Sequence, residues 1–340
     1  MDRMRTYGRL ATIAGLLSCA GAVSAQSGVT VFGVLDVGVQ RLQTGSLTQK
    51  LLSTDGLQSS RLGFRGVEDL GDGLSAGFHL EGATSPNTGG GYDFRRRSTV
   101  SLSSKRVGEL RLGRDYTPTF WNITRFNAFG TNGVGAASNL IYGFDGKSST
   151  APTIVRANNS IGYLLPGNLG GVYGQAMVAA GQGAPGKYIG ARLGYAAGPV
   201  DVAGSYSTTD NNAAGDKFKV ASVGASYDFG AAKLLGLYHV SEQTVRKQTN
   251  WVAGVMVPIG LGQVRASFVR SEFSNSATST NYTGKQMALG YVYNLSKRTA
   301  LYGTYSRVTN SDTGRFAIQG GTNLAGESST GVETGLYHTF

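Results

Sequence analysis

Residues 61–81 read RLGFRGVEDLGDGLSAGFHLE, and this stretch decides the fold class. Both of its ends alternate apolar and polar residues: Arg61, Leu62, Gly63, Phe64 and Arg65 at the start, and Leu74, Ser75, Ala76, Gly77, Phe78, His79, Leu80 and Glu81 at the end. A period of two places alternate side chains on opposite faces of a β-strand. Between the two runs, residues 68–73 supply the acidic residues and glycines that are typical of a tight turn. The stretch therefore predicts a hairpin with one apolar face.

The same alternation recurs along the rest of the chain. Further apolar faces are Val29, Val31, Leu35, Val37 and Val39; Ala221, Val223, Ala225, Tyr227 and Phe229; and Met287, Leu289, Tyr291, Tyr293 and Leu295. We count sixteen such runs, joined by seven short turns and eight longer loops. The short turns are expected at 68–73, 104–107, 166–171, 196–199, 230–232, 259–262 and 296–299, and the loops include 43–59, 116–155, 209–217, 274–284 and 311–328. Short turns at one rim and long loops at the other are typical of an outer-membrane barrel.

The composition narrows the class further. Of 340 residues, 52 are glycine, 40% are hydrophobic and only 15% are charged, which excludes a disordered chain and a coiled coil. A soluble β-sandwich, as in a secreted adhesin, is the competing architecture. Aromatic residues near the strand ends instead favour lipid-facing girdles: Tyr163, Tyr195, Tyr206, Tyr227, Phe229, Tyr291, Tyr293, Tyr337 and Phe340. We therefore predict an all-β fold, a 16-stranded antiparallel transmembrane β-barrel.

Residues 1–25 are typical of a cleaved export signal. Three arginines precede an apolar run at 10–20, and small residues at 23–25 offer a cleavage site. An N-terminal helix of the mature fold and a lipoprotein signal at Cys19 are the alternatives. Cleavage would leave a barrel domain at 26–340 and remove three of 31 basic and one of 20 acidic residues, giving a net charge of +9. It would also remove the single cysteine.

Four segments make the chain similar to a known family. They are VTVFGVLD at 29–36, SRLGFRGVEDLGDGL at 60–74, LRLGR at 110–114 and GLYHTF at 335–340. They resemble, in turn, the first strand, the second strand with its turn and third strand, the fifth strand, and the closing strand of the trimeric general porins of Gram-negative outer membranes, specifically the β-proteobacterial branch. The second segment and the terminal Phe340 carry most of the resemblance.

This resemblance implies a water-filled barrel of sixteen strands that assembles as a homotrimer. It also implies that the third loop, residues 116–155 and hereafter loop 3, folds inside the barrel and narrows the channel. A loop of that length without regular structure is usually functional. The partners implied are outer-membrane lipid and lipopolysaccharide, together with the small ions and hydrophilic solutes that pass through.

Strand parity places the arginines. If Leu62 and Phe64 face lipid, Arg61 and Arg65 on the same strand face the lumen. An arginine on the lipid face near the midplane would cost ~2–4 kcal/mol, so parity is a strong constraint. Parity places Arg61, Arg65, Arg111 and Arg156 in the lumen. We also expect Arg114 and, in loop 3, Arg125 to contribute to its positive charge.

The run Arg95, Arg96 and Arg97 opens the fourth predicted strand. If Thr99 and Ser101 face the lumen, Arg95 and Arg97 face it too, because residues an even number of positions apart on a strand share a face. The family resemblance instead points to Arg96 as the constriction arginine. The sequence leaves this choice open.

The acidic lumen candidates are few. They are Asp36 and Glu81 on the early strands and Asp115 at the root of loop 3, with Asp145 further along that loop. In the enteric relatives, acidic residues of loop 3 face the arginine wall. Because a narrow passage with an excess of positive charge concentrates anions, we predict a passive diffusion channel that favours anions.

Other functions fit the sequence less well. The basic residues are scattered and form no nucleic-acid-binding motif, so no nucleic-acid partner is expected. His79, His239 and His338 are too far apart in sequence to indicate a metal site, and no cofactor is expected. Ser241 and Glu242 beside His239 resemble a hydrolase cluster, but ordinary strand-end residues explain them, so we expect no enzyme activity. The remaining alternatives are a substrate-specific channel for phosphate, sulfate or organic acids, and a non-conducting adhesin or structural barrel.

Overall fold

The computed structural model describes residues 28–144, 153–181, 186–210 and 216–340. The predicted export signal at 1–25 lies outside these residues. The strands are β1 Val29–Thr44, β2 Leu47–Ser53, β3 Arg61–Gly71, β4 Leu74–Ser85, β5 Gly90–Ser104, β6 Gly108–Tyr116, β7 Arg156–Leu164, β8 Val172–Ala179, β9 Tyr188–Ala197, β10 Val200–Asp210, β11 Lys217–Asp228, β12 Lys233–Gln243, β13 Arg246–Ile259, β14 Gly262–Asn275, β15 Thr280–Asn294, β16 Thr299–Asn310 and β17 Ser329–Thr339. Two short helices, α1 Pro118–Arg125 and α2 Ser138–Ile141, lie between β6 and β7. In the described part of the chain, no helix is long and apolar enough to cross a membrane.

Sixteen of these strands close into a barrel. Consecutive strands pair antiparallel, and β1 completes the circle by pairing with β3 through residues 29–34 and with β17 through residues 34–44. The remaining strand, β2, pairs with residues 38–44 of β1, above the part of β1 that β3 covers. Closure joins the first and last strands of the wall. The backbone N–H and C=O groups at the edge of each strand therefore pair with the other strand and are not left unpaired in the lipid. The predicted 16-stranded antiparallel barrel is confirmed.

Two stretches that we expected to be loops are partly strand. In the segment 274–284, β14 runs to Asn275 and β15 begins at Thr280, so only 276–279 forms the turn. The segment 43–59 contains the whole of β2. Both stretches lie at the long-loop rim, where a strand no longer has an apolar outer face because it has left the lipid. The ladder continues there without the alternation that the prediction relied on.

The outer surface of the barrel is apolar. On β15, Met287 and Leu289 are 63% and 58% exposed, while Ala288 between them is only 6% exposed and lies on the inner side. Most of the predicted girdle residues lie on this outer face: Tyr163, Tyr195, Tyr206, Tyr227, Phe229, Tyr291, Tyr293 and Phe340. Alternation of exposed and buried side chains along one strand is the pattern of a wall between lipid and lumen.

Tyr337 is the exception among the predicted girdle residues. It stands opposite Asp36 in the β1–β17 ladder, and Asp36 is fully buried on the inner face. Tyr337 accordingly packs against an inner cluster that includes Tyr302. The prediction was wrong because the end of the chain carries aromatic residues on both faces, with Tyr337 inward and Phe340 outward. The position of an aromatic residue near a strand end therefore does not show which face it lies on.

We predict that Leu289→Arg destabilises the folded barrel by about 2–4 kcal/mol, because the guanidinium would enter the middle of the apolar band. Leu261→Arg is the matched control, since Leu261 lies in the short turn 260–261 and is 66% exposed. At this rim the same substitution should cost about 0–1 kcal/mol. Urea unfolding of the barrel in lipid vesicles measures both values, and equal costs at the two positions would contradict the orientation described here.

Candidate pore constriction

Loop 3 folds into the barrel rather than out of it. After β6 the chain turns into α1, which begins at Pro118, a position where the missing N–H costs no hydrogen bond. Ile123, Phe126 and Leu140 of this loop are completely buried. Side chains of a loop on the outer rim would be exposed, so their burial follows from docking against the inner wall.

Polar side chains on five strands hold loop 3 in place. The contacts are Arg125 Nε to Asp201 Oδ2 (2.5 Å), Asn122 Nδ2 to Ser222 Oγ (2.9 Å), Gln248 Nε2 to the Leu140 carbonyl (2.6 Å), Gln286 Nε2 to the Val134 carbonyl (3.1 Å) and the Val134 amide to Glu333 Oε2 (3.2 Å). Strands β10, β11, β13, β15 and β17 each contribute one of these partners. Three of the five contacts satisfy backbone groups of a loop that has few ladder bonds of its own.

Glycines on the inner wall leave room for the apolar side chains of loop 3. A Cβ added at Gly224 of β11 would overlap the ring of Phe126. On every second strand after β11, another glycine likewise lies against a side chain of loop 3. The further pairs are Gly254 with Ala128, Gly290 with Phe129 and Gly331 with Val134. Loop 3 therefore lies in a shallow track that only residues without a side chain can provide.

Across the lumen from loop 3, a cluster of guanidinium groups forms what we call the arginine wall: Arg61, Arg96, Arg97 and Arg156. Glu81 lies 2.5 Å from Arg96 Nε and 3.7 Å from Arg61 Nε. Arg156 forms no ion pair with a carboxylate of the described residues, and its Nη2 donates instead to the Tyr116 hydroxyl at 2.8 Å. Glu81 is thus the counter-ion of both Arg61 and Arg96, while the positive charge of Arg156 is not balanced by a carboxylate of the described residues.

A bulge in β5 settles which members of the run 95–97 enter the lumen. Glu81 pairs with Arg97, but the next paired position, Ala83, stands opposite Asp93. Four residues of β5 therefore span two residues of β4, and simple parity fails across the bulge. Arg96 and Arg97 both point inward, whereas the Arg95 side chain is 79% exposed and pairs with Asp93.

Arg97 and Arg111 are bound into a second set of ion pairs. Asp115 lies 3.6 Å from Arg97 Nε and 3.2 Å from Arg111 Nη1, and Glu109 lies 2.7 Å from Arg111 Nε. Arg111 faces inward as expected, but two carboxylates neutralise it and it lies outside the cavity described next. Asp115 acts as a counter-ion within the wall.

The arginine wall and loop 3 enclose a cavity of about 690 Å³. Five arginines line it, the four of the arginine wall and Arg265 of β14, against two carboxylates, Asp55 and Glu81. Loop 3 contributes only uncharged side chains to this cavity within the described residues; Asp145 lies outside them. The cavity is therefore positive on balance, and no acidic surface of the described part of loop 3 opposes the wall.

Two charged residues of the cavity, Arg265 and Asp55, were not among the predicted lumen residues. Arg265 shares its inward parity with Ser267, and the opposite face of the strand carries Phe268, so the parity rule could have found it. Asp55 belongs to the segment between β2 and β3, which has no alternation to interpret. Its place depends on how that segment folds back over the lumen.

Several predicted lumen residues lie elsewhere. Arg114 has the outward parity of Leu112 and binds the Arg95 carbonyl at 2.5 Å, so neither Arg95 nor Arg114 lines the cavity. Arg125 lies in loop 3, but its charge is paired with Asp201.

The other two departures concern inward-facing residues. Arg65 is inward by parity, but its guanidinium lies over the Phe32 ring at 5.2 Å and outside the cavity. Asp36 is fully buried and accepts hydrogen bonds from the amides of Leu57 and Gln58 at 2.7 and 2.9 Å. Asp36 therefore holds the segment before β3 in place and does not face the channel.

The geometry just described agrees with comparisons against known proteins. The sequence model of the family described as Gram-negative porin matches residues 11–313. The chain belongs to the Gram-negative porin family. It is 36% identical to outer membrane porin protein 32 of Delftia acidovorans, over 96% of this chain and 97% of that protein. This porin is therefore a protein of the Gram-negative outer membrane, and its family and fold indicate a channel rather than an enzyme.

Solved structures agree with this assignment. An anion-selective porin from Comamonas acidovorans superimposes on this porin with a TM-score of 0.83 at 35% identity, covering 93% of this chain and 100% of that one. OmpT of Vibrio cholerae, in a structure titled as its trimer form, reaches a TM-score of 0.69 at 14% identity over 92% of this chain and 99% of its own. At that identity the second likeness concerns the fold alone.

We expect Gly224→Ala to disturb the channel, because the new methyl group would displace Phe126 and with it the start of loop 3. Gly236→Ala is the matched control, since its added Cβ meets only a carbonyl oxygen at an ordinary 3.8 Å. Single-channel recording should show an altered and noisier conductance for Gly224→Ala and a normal one for Gly236→Ala. A normal conductance in both variants would argue against the docking of loop 3 at this glycine.

Asp55 should make the charge of the cavity depend on pH. Burial raises the pKa of Asp55 above its ordinary value, so this carboxylate takes up a proton at a higher pH than an exposed aspartate. The negative charge is present above that pKa and lost as the pH falls through it, which leaves the cavity more positive. Acidification should therefore increase the chloride preference of the wild type, measured as the reversal potential in a KCl gradient.

In Asp55→Asn the chloride preference should already be raised at neutral pH and should change less on acidification. Asp312→Asn is the control, because Asp312 is exposed in the outer loop 311–328 and has a backbone φ of +50° that asparagine tolerates. If Asp55→Asn and Asp312→Asn gave the same pH profile, Asp55 would have no part in the cavity charge.

Proposed function

We propose that this porin is a passive, water-filled diffusion channel for small hydrophilic solutes and ions, and that it favours anions. One observation carries the proposal: five arginines and two carboxylates line the cavity between loop 3 and the arginine wall. Fixed positive charge in a narrow passage with low-dielectric walls raises the local concentration of anions and lowers that of cations. The solved relative titled as an anion-selective porin supports the same reading.

Size exclusion supplies the other half of the mechanism. Loop 3 is held to the inner wall by polar contacts and by the glycine track, so the passage is narrowed by a fixed structure. A solute must pass between uncharged loop 3 side chains, such as Phe120 and Trp121, and the arginine wall. Small hydrophilic solutes pass through water in the lumen, and no step of this transport requires catalysis or a cofactor.

We further propose that residues 1–25 are removed as an export signal and that the mature barrel of residues 26–340 assembles as a homotrimer in contact with lipopolysaccharide. The trimer form of OmpT, which has this fold, supports the assembly. Electrophoresis before and after heating tests it, since a trimer should run at about three times the heated mass. Mass spectrometry of the mature chain tests the cleavage site.

Removing one guanidinium of the arginine wall should weaken the anion preference. The energy between two unit charges about 6 Å apart in water is about 0.7 kcal/mol, a factor of about three for one ion; because the charge attracts chloride and repels potassium, the two effects multiply to a factor of about ten in their permeability ratio. We expect Arg61→Ser and Arg156→Ser each to lower the chloride-to-potassium permeability ratio by about that factor. The ratio is obtained from reversal potentials of the purified channel in a planar bilayer under a KCl gradient.

Arg95→Ser is the matched control, because it removes the same charge from a side chain outside the cavity. Its permeability ratio should equal that of the wild type. A wild-type channel that clearly prefers potassium would refute the anion preference. A wild-type preference for chloride that neither Arg61→Ser nor Arg156→Ser reduces would show that the constriction lies elsewhere.

A further inference from the structure

The hydroxyl of Tyr116 joins two arginines of the wall. Tyr116 is the last residue of β6, and its phenolic oxygen lies 2.8 Å from Arg96 Nη2 and 2.8 Å from Arg156 Nη2. A guanidinium group can only donate, so the tyrosine oxygen accepts both hydrogen bonds. The oxygen therefore uses its two acceptor positions on these two partners.

The hydrogen of the same hydroxyl remains available. A phenol has one O–H donor besides its acceptor positions, and neither arginine can accept it. Within the described residues, no carbonyl or carboxylate oxygen accepts a hydrogen bond from the Tyr116 hydroxyl. Tyr116 lines the cavity of about 690 Å³, so the unused donor can reach a solute in the passage.

The tyrosine ring is held in one orientation. It stacks on Phe120 with ring centroids 4.9 Å apart and planes 14° from parallel, and it contacts Trp121 at 5.3 Å. The Arg156 guanidinium lies 4.3 Å from the centre of the ring. A donor on a fixed ring does not have to be ordered when a solute arrives, which favours binding.

We propose that the Tyr116 hydroxyl, together with the Nη atoms of Arg96 and Arg156, forms a binding site for an oxygen of a small carboxylate and distinguishes carboxylates from halides. This inference rests on the proposed function, because it needs an anion-permeable passage. A carboxylate has two oxygens with directional lone pairs and can accept from a guanidinium and from the O–H at once. A chloride ion feels the same positive field but gains less from donors fixed in direction.

Charge balance at the site supports an anionic occupant. Arg96 is paired with Glu81, whereas Arg156 forms no ion pair with a carboxylate of the described residues. The three donors therefore meet around one uncompensated positive charge. Tyr116 carries no charge, so it can affect the choice between anions without affecting the choice between anions and cations.

The test compares wild type with Tyr116→Phe in planar bilayers, in potassium acetate and in potassium chloride. Acetate conductance of the wild type should saturate, and Tyr116→Phe should raise the half-saturating acetate concentration roughly tenfold, as expected for losing a hydrogen bond to a charged acceptor. The chloride-to-potassium permeability ratio should stay at the wild-type value. Tyr163→Phe is the matched control, because its hydroxyl binds the Val107 carbonyl on the outer face.

Three outcomes would overturn the proposal. The first is an acetate conductance of the wild type that does not saturate, and the second is a half-saturating concentration that Tyr116→Phe leaves unchanged. The third is a loss of chloride-over-potassium preference in Tyr116→Phe as large as in Arg156→Ser, which would mean that Tyr116 only holds the arginines in place. A wild type that prefers potassium is a separate result, because it refutes the anion preference itself before the acetate comparison begins.

Discussion

Backbone amides inside a membrane wall have to find their hydrogen-bond partners in the wall, and the rest of this porin follows from that requirement. The ladder between β1 and β17 meets it by joining the two ends of the barrel. Once the sheet is closed, each strand has one face to lipid and one to the lumen, and the alternation of the sequence is fixed in space. Within the membrane, a charged side chain of the wall can then avoid contact with lipid only by facing the lumen.

The interior becomes selective because loop 3 takes up much of it. The loop covers one side of the lumen, where strand glycines and amide side chains receive it, and leaves the arginine wall facing a narrow cavity. Most guanidinium groups near this cavity are balanced by Glu81 or Asp115. Arg156 and Arg265 have no such partner among the described residues, so the excess positive charge lies in the cavity between loop 3 and the arginine wall.

The strand number, the turn positions and the inward face of Arg61 could be predicted, because a chain that alternates with a period of two and spans a membrane can place its polar face only toward the lumen. Arg156 also lines the cavity, but a register shift between β6 and β7 separates it from Ser160, so parity does not account for its position. The bulge opposite Glu81 could not be predicted, since it depends on a register shift between β4 and β5 that alternation does not encode. This is why parity and family resemblance disagreed over Arg95–Arg97. The buried position of Asp36 was missed for a related reason: parity gives the face of a residue but not which segment folds over it.

The most direct test of the account is reaction of single cysteines from the water-filled lumen. In a background lacking Cys19, Arg97→Cys and Val100→Cys lie on the same strand but face the cavity and the lipid, respectively. Adding a negatively charged methanethiosulfonate reagent to single channels should reduce the current through Arg97→Cys in discrete steps and leave Val100→Cys unchanged. A blocked Val100→Cys channel beside an unreactive Arg97→Cys channel would contradict the orientation on which the whole account depends.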